Sequence, residues 1–378
     1  MLGGGQLARM LALKAEDLKI KTFILSPSSK DPAAQLESVH WIKGDPYDTK
    51  CLSSFLKQID LLTFESEFIP AETIKKSLSS QISIAPSLQA LKTLQDRYTQ
   101  KKILQKYHLK TSPFFKITLN HSKKNLDKLH DLLKKEGPIV LKTRTGGYDG
   151  YGTFIIKNKK DIFQFRSRSS EFIGEQFIRF KRELALIACR NKKGSVCFFP
   201  LVESYQKDSR CLWVKGPVHH KRLDPLKKQI NRMLNALNYE GVLAFELFDT
   251  GSELWINEVA PRVHNSGHYS LDGLTEDQFT MHLKAIYNLP LLPPKTLKKG
   301  FAMLNLLGGK QAKPFLIIGE KKIKLDQGFE SFYKNFSLWW YGKNKNTPGR
   351  KMGHINSFEN SPQKALSTLW KARKKFKI

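Results

Sequence analysis

The period of the apolar positions changes several times along the chain, and the changes divide it. Between residues 1 and 94, short apolar or β-branched runs at 21–25, 60–64 and 82–85 alternate with stretches of helical period. That alternation predicts an α/β unit with a mostly parallel sheet. A helix opens at Asp96 and forms the junction to a second region, 95–295. Within it, residues from about 112 to 180 read as a small, separately hinged α/β lid. Residues 296–378 form a carboxy-terminal unit.

Two stretches carry the strongest patterning. The run 138–141 (PIVL) leads into 142–152 (KTRTGGYDGYG), and 153–156 (TFII) leads out, so the glycines lie between two strands. No Lys-Ser/Thr and no helix follow, which excludes the common P-loop. The segment is either a long hairpin turn or a flap whose amides approach anionic oxygens, with Lys142 adding a point charge. Further on, residues 241–260 predict two strands joined at 249–252. Glu246 and Glu258 interrupt apolar faces of this hairpin, and a turn near Gly251 sets them nearly opposite each other. Two facing carboxylates raise each other's pKa unless a cation lies between them, and oxygen ligands beside a phosphate site suit Mg²⁺. The alternative is an edge hairpin whose acids face water.

Four clusters add candidate chemistry. Gly3, Gly4, Gly5 and Gln6 form a glycine turn at a helix start, which suits an anion. Only Met1 and Leu2 precede it, so the first strand is expected to be cut short, or the chain to start upstream. The strand at 21–25 runs into Ser26 and Pro27 and carries no acid for a ribose hydroxyl after a dinucleotide turn, which demotes a nicotinamide site. Glu65 and Glu67 share a face by period two, as a ligand-facing rim or as exposed alternation. After Pro261, the donors Arg262, His264, Asn265 and His268 cluster beside the carboxylates, without the helical HExxH zinc pattern. Lys343, Arg350 and Lys351 surround a Pro-Gly turn that either holds a phosphate monoester or is a solvated basic loop.

Composition limits the alternatives. A chain of 378 residues suits roughly two to three domains. No apolar run approaches a membrane span and no signal-peptide layout is visible, so the cytoplasm is expected. The four cysteines show neither CxxC nor zinc-like spacing, which points to inert thiols. A net charge of +30 raises nucleic acid as a partner, but the Lys-Lys pairs recur along the whole chain, as on a solvated lysine-rich surface. Only residues 371–377 concentrate charge.

Together these motifs resemble the ATP-grasp superfamily, and within it the carboxyaminoimidazole ribonucleotide synthetases. The resemblance rests on 3–7 (GGGQL), 63–67 (TFESE), 142–150 (KTRTGGYDG), 257–268 (NEVAPRVHNSGH) and 348–354 (PGRKMGH), in the family's order and over nearly the full chain. It implies an α/β ATP-grasp fold with an amino-terminal parallel domain, a hinged lid and a small carboxy-terminal domain. It also implies an ATP- and bicarbonate-dependent carboxylation of aminoimidazole ribonucleotide through carboxyphosphate, by a homodimer with no membrane partner. On that pattern Lys101, Lys142, Gly146, Gly147, Gly150 and Gly152 would meet the nucleotide phosphates. Glu175, Gln176, Phe177 and Ile178 would carry adenine, Glu183 the ribose, and Gln206, Asn257 and Glu258 further nucleotide contacts. Glu246 and Glu258 would hold Mg²⁺. Tyr148, Asp149, Arg262, His264 and Asn265 would orient the bicarbonate-derived group and the imidazole, and Gln6, Lys343, Arg350 and Lys351 the ribonucleotide phosphate. Departures from the family pattern are Tyr151 in place of a basic flap residue, Gln206 in place of histidine, and Phe68 after TFESE. The competing expectations are a formate- or glycinamide-using relative, a nucleotide-binding remnant without turnover, and a basic nucleic-acid binder.

Overall fold

The protein, described by a computed structural model, is defined at all residues except 69–70, 79–81, 121–122, 148–150, 164, 166–168 and 311–312. Its amino-terminal strands, Thr22–Ser26, Val39–Lys43, Leu61–Leu62 and Ser83–Ile84, pair only in parallel. Leu2 bridges both Leu25 and Phe64 in parallel, so the short stretch before the glycine turn stands between the two strand pairs as a cut-short first strand. The terminal ammonium of Met1 donates to the Phe23 carbonyl at 2.6 Å, and Gly3 N–H to Leu25 at 3.1 Å. Leu2, Leu25, Phe55, Phe64 and Ile74 close the core beneath. The glycine turn thus leaves the carboxyl end of the central bridge and enters helix Gln6–Asp17, where an open α/β sheet places its ligands.

Asp96 accepts from the amides of Tyr98 and Thr99 at 2.8 and 3.3 Å and starts helix Arg97–Lys106. The lid that follows is a four-stranded antiparallel sheet in the order Phe114–Asn120, Ser169–Gln176, Ile139–Thr143, Thr153–Ile156. Leu129, Ile139, Leu141, Ile156 and Phe172 give it its own core. The glycine stretch is a hairpin: Lys142 pairs with Thr153, and Thr143 N–H donates to Gly152 at 2.8 Å.

A ten-stranded sheet joins the rest of the chain. Strand Gly241–Asp249 lies between Arg182–Arg190 and Leu254–Ala260, and strand Arg210–Gly216 pairs with Gly300–Leu307, carrying the sheet into the carboxy-terminal unit. One face is filled by Ile187, Ala244, Val263 and Phe279, the other by Leu186, Phe245, Ile230 and Leu234. Helix Pro362–Arg373 packs on the carboxy-terminal strands through Ala365, Leu366 and Leu369. Among the described residues, no helix is long and apolar enough to cross a membrane. All four cysteines are free thiols.

Candidate active site

Glu246 and Glu258 are direct cross-strand partners, as the short turn and period two require, with a bulge immediately after Glu246. Burial and then the Glu258 charge push the Glu246 carboxyl up to about 7. On the neighbouring strand, Glu183 rises to about 7 as well, through burial and Glu246. All three acids line one cleft of about 750 Å³ between the lid, the large sheet and the amino-terminal unit.

One end of the cleft is apolar. Val140 and Ile155 of the lid face Phe177, Ile178, Phe180 and Phe248, and the rings of Phe180 and Phe248 stack at 4.5 Å. Such a slot accepts a flat heterocycle, with the Gln176–Ile178 backbone along its edge. Gln206, Ser209 and Cys211 form the opposite rim.

Behind the slot sits a buried ionic triad. The Glu175 carboxylate meets Lys101 and Lys142, each at 3.1 Å, and accepts from the Ser112 hydroxyl at 2.7 Å. Burial alone would raise the Glu175 carboxyl, but Lys142, Lys101 and Ser112 outweigh it and hold it at about 2. Burial lowers the Lys101 ammonium to about 8 against the Glu175 charge. Lys142 also reaches Asn257 Oδ1 at 2.8 Å and lines the cleft. Lys101 does not. It is 1% exposed, and its ammonium is taken by Thr111, Ser112 and Glu175, so it stands behind the cleft wall and not on it.

Arg97 is the residue that sequence reading missed. Its guanidinium donates to the carbonyls of Thr143 and Gly147 at 2.9 and 3.1 Å and to Glu258 Oε1 at 2.9 Å, tying the root of the glycine hairpin to the acid pair. A Cβ at Gly147 would stand 2.5 Å from Arg97 Nη1, which explains that glycine. Gly146 and Gly152 instead adopt positive φ, 73° and 80°. Tyr148, Asp149 and Gly150 lie outside the described residues.

The other end of the cleft is polar. Arg262 forms a two-pronged ion pair with Glu67, through Nε to Oε2 and through Nη2 to Oε1 at 3.1 Å. His264 is oriented by Gln278 Oε1 on its amide and Ser266 Oγ on Nδ1, both at 2.8 Å, and Nε2 lies 3.5 Å from Glu246. Burial, then Arg262 and Lys351, hold His264 well below the usual imidazole range, so it is neutral. The Asn265 amide exchanges hydrogen bonds with Asn305 at 3.0 and 2.6 Å. Gln6 and Lys351 line this end.

Several expectations are corrected here. The glycine turn does hold an anion, but it is Glu65, which accepts from the Gly5 and Ala8 amides at 2.7 and 3.1 Å. Glu65 and Glu67 both line the cleft, as the rim alternative expected, but each is already engaged, one by a helix start and one by Arg262. Arg350 is exposed, does not line the cleft, and donates to the Lys345 carbonyl at 3.1 Å. His268 is fully buried, with Nδ1 against Gln278 at 3.2 Å, and belongs to the packing beneath the site. Lys343 does not line the cleft either; its ammonium stands 5.5 Å from the Tyr341 ring centroid, and its charge is felt at Glu65.

An apolar slot under a glycine hairpin, backed by lysines and closed by paired acids on a central antiparallel sheet, is the architecture of an ATP-grasp ligase. Sequence comparison agrees over consecutive stretches: an ATP-grasp domain profile matches residues 102–279, a ribonucleotide synthetase preATP-grasp profile 1–95, and a phosphoribosylaminoimidazole carboxylase C-terminal profile 302–368. The chain is 32% identical over 361 residues to the N5-carboxyaminoimidazole ribonucleotide synthase of Synechococcus elongatus, covering 94% of this chain and 88% of the relative. It is 33% identical to the Synechocystis enzyme of the same name, covering 98% and 94%. The chain belongs to the N5-carboxyaminoimidazole ribonucleotide synthase family. The Staphylococcus aureus synthetase solved with ADP superposes with a TM-score of 0.83 at 29% identity, over 98% of this chain and 95% of the other. The Aspergillus clavatus synthase solved with ADP and 5-aminoimidazole ribonucleotide gives 0.83 at 27% identity, over 99% and 97%.

Proposed function

We infer that this chain carboxylates the exocyclic amine of 5-aminoimidazole ribonucleotide, using ATP and bicarbonate, in purine biosynthesis. The observation that carries the reading is the acid pair Glu246 and Glu258 under the glycine hairpin, with an apolar slot on one side and Arg262, His264 and Lys351 on the other. Adenine occupies the slot along Gln176–Ile178, the ribose meets Glu183, and Lys142 with the flap amides and Arg97 takes the phosphates. The donor set fits magnesium: two facing carboxylates whose repulsion raises Glu246 call for a cation, while the described residues hold no group of three or more His, Cys, Asp or Glu able to bind one unaided. Glu246 and Glu258 would hold the ion, phosphate oxygens and water completing its shell, and it would supply charge neutralisation at the transferring phosphoryl group.

A bicarbonate oxygen attacks the γ-phosphorus, ADP leaves, and carboxyphosphate forms. The amine nitrogen then attacks the carboxyl carbon, and phosphate departs with the bonding electron pair and takes up the amine proton, while neutral His264, its Nδ1 accepting from the Ser266 amide, orients the reacting groups. Arg262 and Lys351 keep the bicarbonate-derived group and the ribonucleotide phosphate in register, so proximity and fixed charge supply the rate. Closure of the lid excludes water from a mixed anhydride that hydrolyses readily. The assembly proposed from the resemblance is a homodimer, which light scattering on the eluting protein tests. ADP release measured with the amine, with and without bicarbonate, tests the activity: release dependent on both supports it. Nucleotide binding without bicarbonate-dependent release would mean a remnant.

A further inference from the structure

Four of the lysines that look scattered in the sequence are gathered by the fold on one face of a small sheet that contributes no residue to the cleft. Strands Phe315–Ile318, Lys321–Lys324 and Phe376–Lys377 form a three-stranded antiparallel sheet with Phe315–Ile318 in the centre. Its register sets Lys324, Phe315 and Lys377 in one line across the strands. The next line in that register is Lys322 and Ile317, continued by Lys375, whose carbonyl accepts from Ile317 N–H at 2.9 Å. Leu316 and Phe376, on the alternate face, are buried against the carboxy-terminal core with Ile323 packed beside them.

The outer face is therefore a trough. Two rows of lysine flank a floor made by Phe315 and Ile317, and Ile317 is 37% exposed. With strands about 4.8 Å apart the rows stand ~10 Å from each other, and within a row the charges repeat about every 6.6 Å. The Lys322 ammonium sits 3.9 Å from the Phe315 ring centroid. All four lysines are exposed, and none has a carboxylate partner among the described residues. The acids adjoining the sheet in sequence, Glu320 and Asp326, lie beyond the strand ends, before Lys321 and after Leu325. None of these residues lines the nucleotide cleft.

We propose that this trough binds single-stranded nucleic acid, with phosphates on the two lysine rows and bases against Phe315 and Ile317. The charge is complementary to a polyanion, and an aromatic floor between cationic rows is the arrangement that single strands use irrespective of sequence. A membrane surface fits less well, because the apolar groups form the floor of the trough while the lysines form its rim. The inference does not depend on the carboxylation reading.

The test is fluorescence anisotropy of a labelled 20-nucleotide oligo(dT) or oligo(U) with the full chain between 50 and 200 mM KCl. Four phosphate contacts predict a log–log slope of about −2.8 and a loss of affinity of roughly 50-fold over that range. The fourfold variant Lys322→Gln, Lys324→Gln, Lys375→Gln, Lys377→Gln should lose at least about tenfold in affinity at 50 mM and most of the slope. Phe315→Ala should weaken binding with the slope kept. The control replaces Lys75, Lys76, Lys159 and Lys160, also exposed, by Gln and removes the same charge elsewhere. Equal losses in patch and control variants would overturn the proposal, as would no retention at 50 mM. Retention of anionic phosphatidylglycerol vesicles in preference to the oligonucleotide would also overturn it. A far-ultraviolet circular dichroism spectrum and a thermal midpoint of the patch variant unchanged from the parent verify that it is folded.

Discussion

Protonation of Glu246 should compete with magnesium, and the effect can be sized. With its carboxyl at about 7, raised by burial and by Glu258, the free site binds a proton in the range where the enzyme works. The ion requires the ionised form, so apparent affinity falls by a factor of 1 + 10^(pKa − pH), roughly 1.1 at pH 8, 2 at pH 7 and 11 at pH 6. Magnesium affinity, titrated calorimetrically with a non-hydrolysable ATP analogue in place, should weaken about tenfold from pH 8 to pH 6. The analogue's own protonation is subtracted from a titration without protein. Glu183, at about 7 and beside Glu246, titrates with it, so Glu183→Gln shifts the midpoint downward and keeps the trend. Glu246→Gln should bind the ion weakly at every pH, with the slope gone. The same raised pKa acts on stability without the ion: below the unfolded value of about 4.5 both states are protonated, then the unfolded chain ionises first, and stability falls until about pH 7. A magnesium affinity that is flat from pH 6 to pH 8 would refute the reasoning.

Three further outcomes follow from the site. Arg97→Ala removes donors to Thr143, Gly147 and Glu258, and at roughly 1.5–3 kcal/mol for a charged hydrogen bond it should lower kcat/KM for ATP about 10- to 150-fold. Arg97→Lys should recover little of it, since one ammonium cannot span three acceptors; full recovery would reduce Arg97 to a counter-charge. Lys101→Met takes one of two cations from the buried Glu175 and should cost about 3 kcal/mol in urea denaturation; a loss below about 1 kcal/mol contradicts the triad. Gly5→Ala places a Cβ 2.6 Å from Glu65 Oε2, so it should displace that cap, cost about 1–3 kcal/mol and leave MgADP affinity within about twofold.

What could be read from the sequence was the local part. The Glu246–Glu258 pairing follows from alternation and a four-residue turn, and the flap hairpin from glycines between two apolar runs. The parallel character of the amino-terminal sheet follows from its alternating periods. What failed depends on contacts between distant segments. Nothing near Arg97 in the chain says that its guanidinium crosses to Gly147 and Glu258, and a lysine one turn along the same helix, Lys101, gives no sign that it points inward. Glu65 and Glu67 do line one cleft, as their period allows, but the donor set that holds each comes from a distant segment and is not visible in the local pattern. The lysine trough was hidden because its rows come from 322–324 and 375–377.

Three long-range ties, Glu67 to Arg262, Arg9 to Glu330 and Gln35 to the Gly342 carbonyl, run from the first hundred residues to the later ones. In a chimaera that grafts the first ninety-odd residues of a distant homologue onto this chain, the Glu67–Arg262 tie lies in segments of the family pattern and is kept, while the Arg9–Glu330 tie is matched only where the graft also brings an arginine. Exchange of whole pieces between family members should succeed only when both ends of each tie are present, so that inheritance acts on the seams as matched sets.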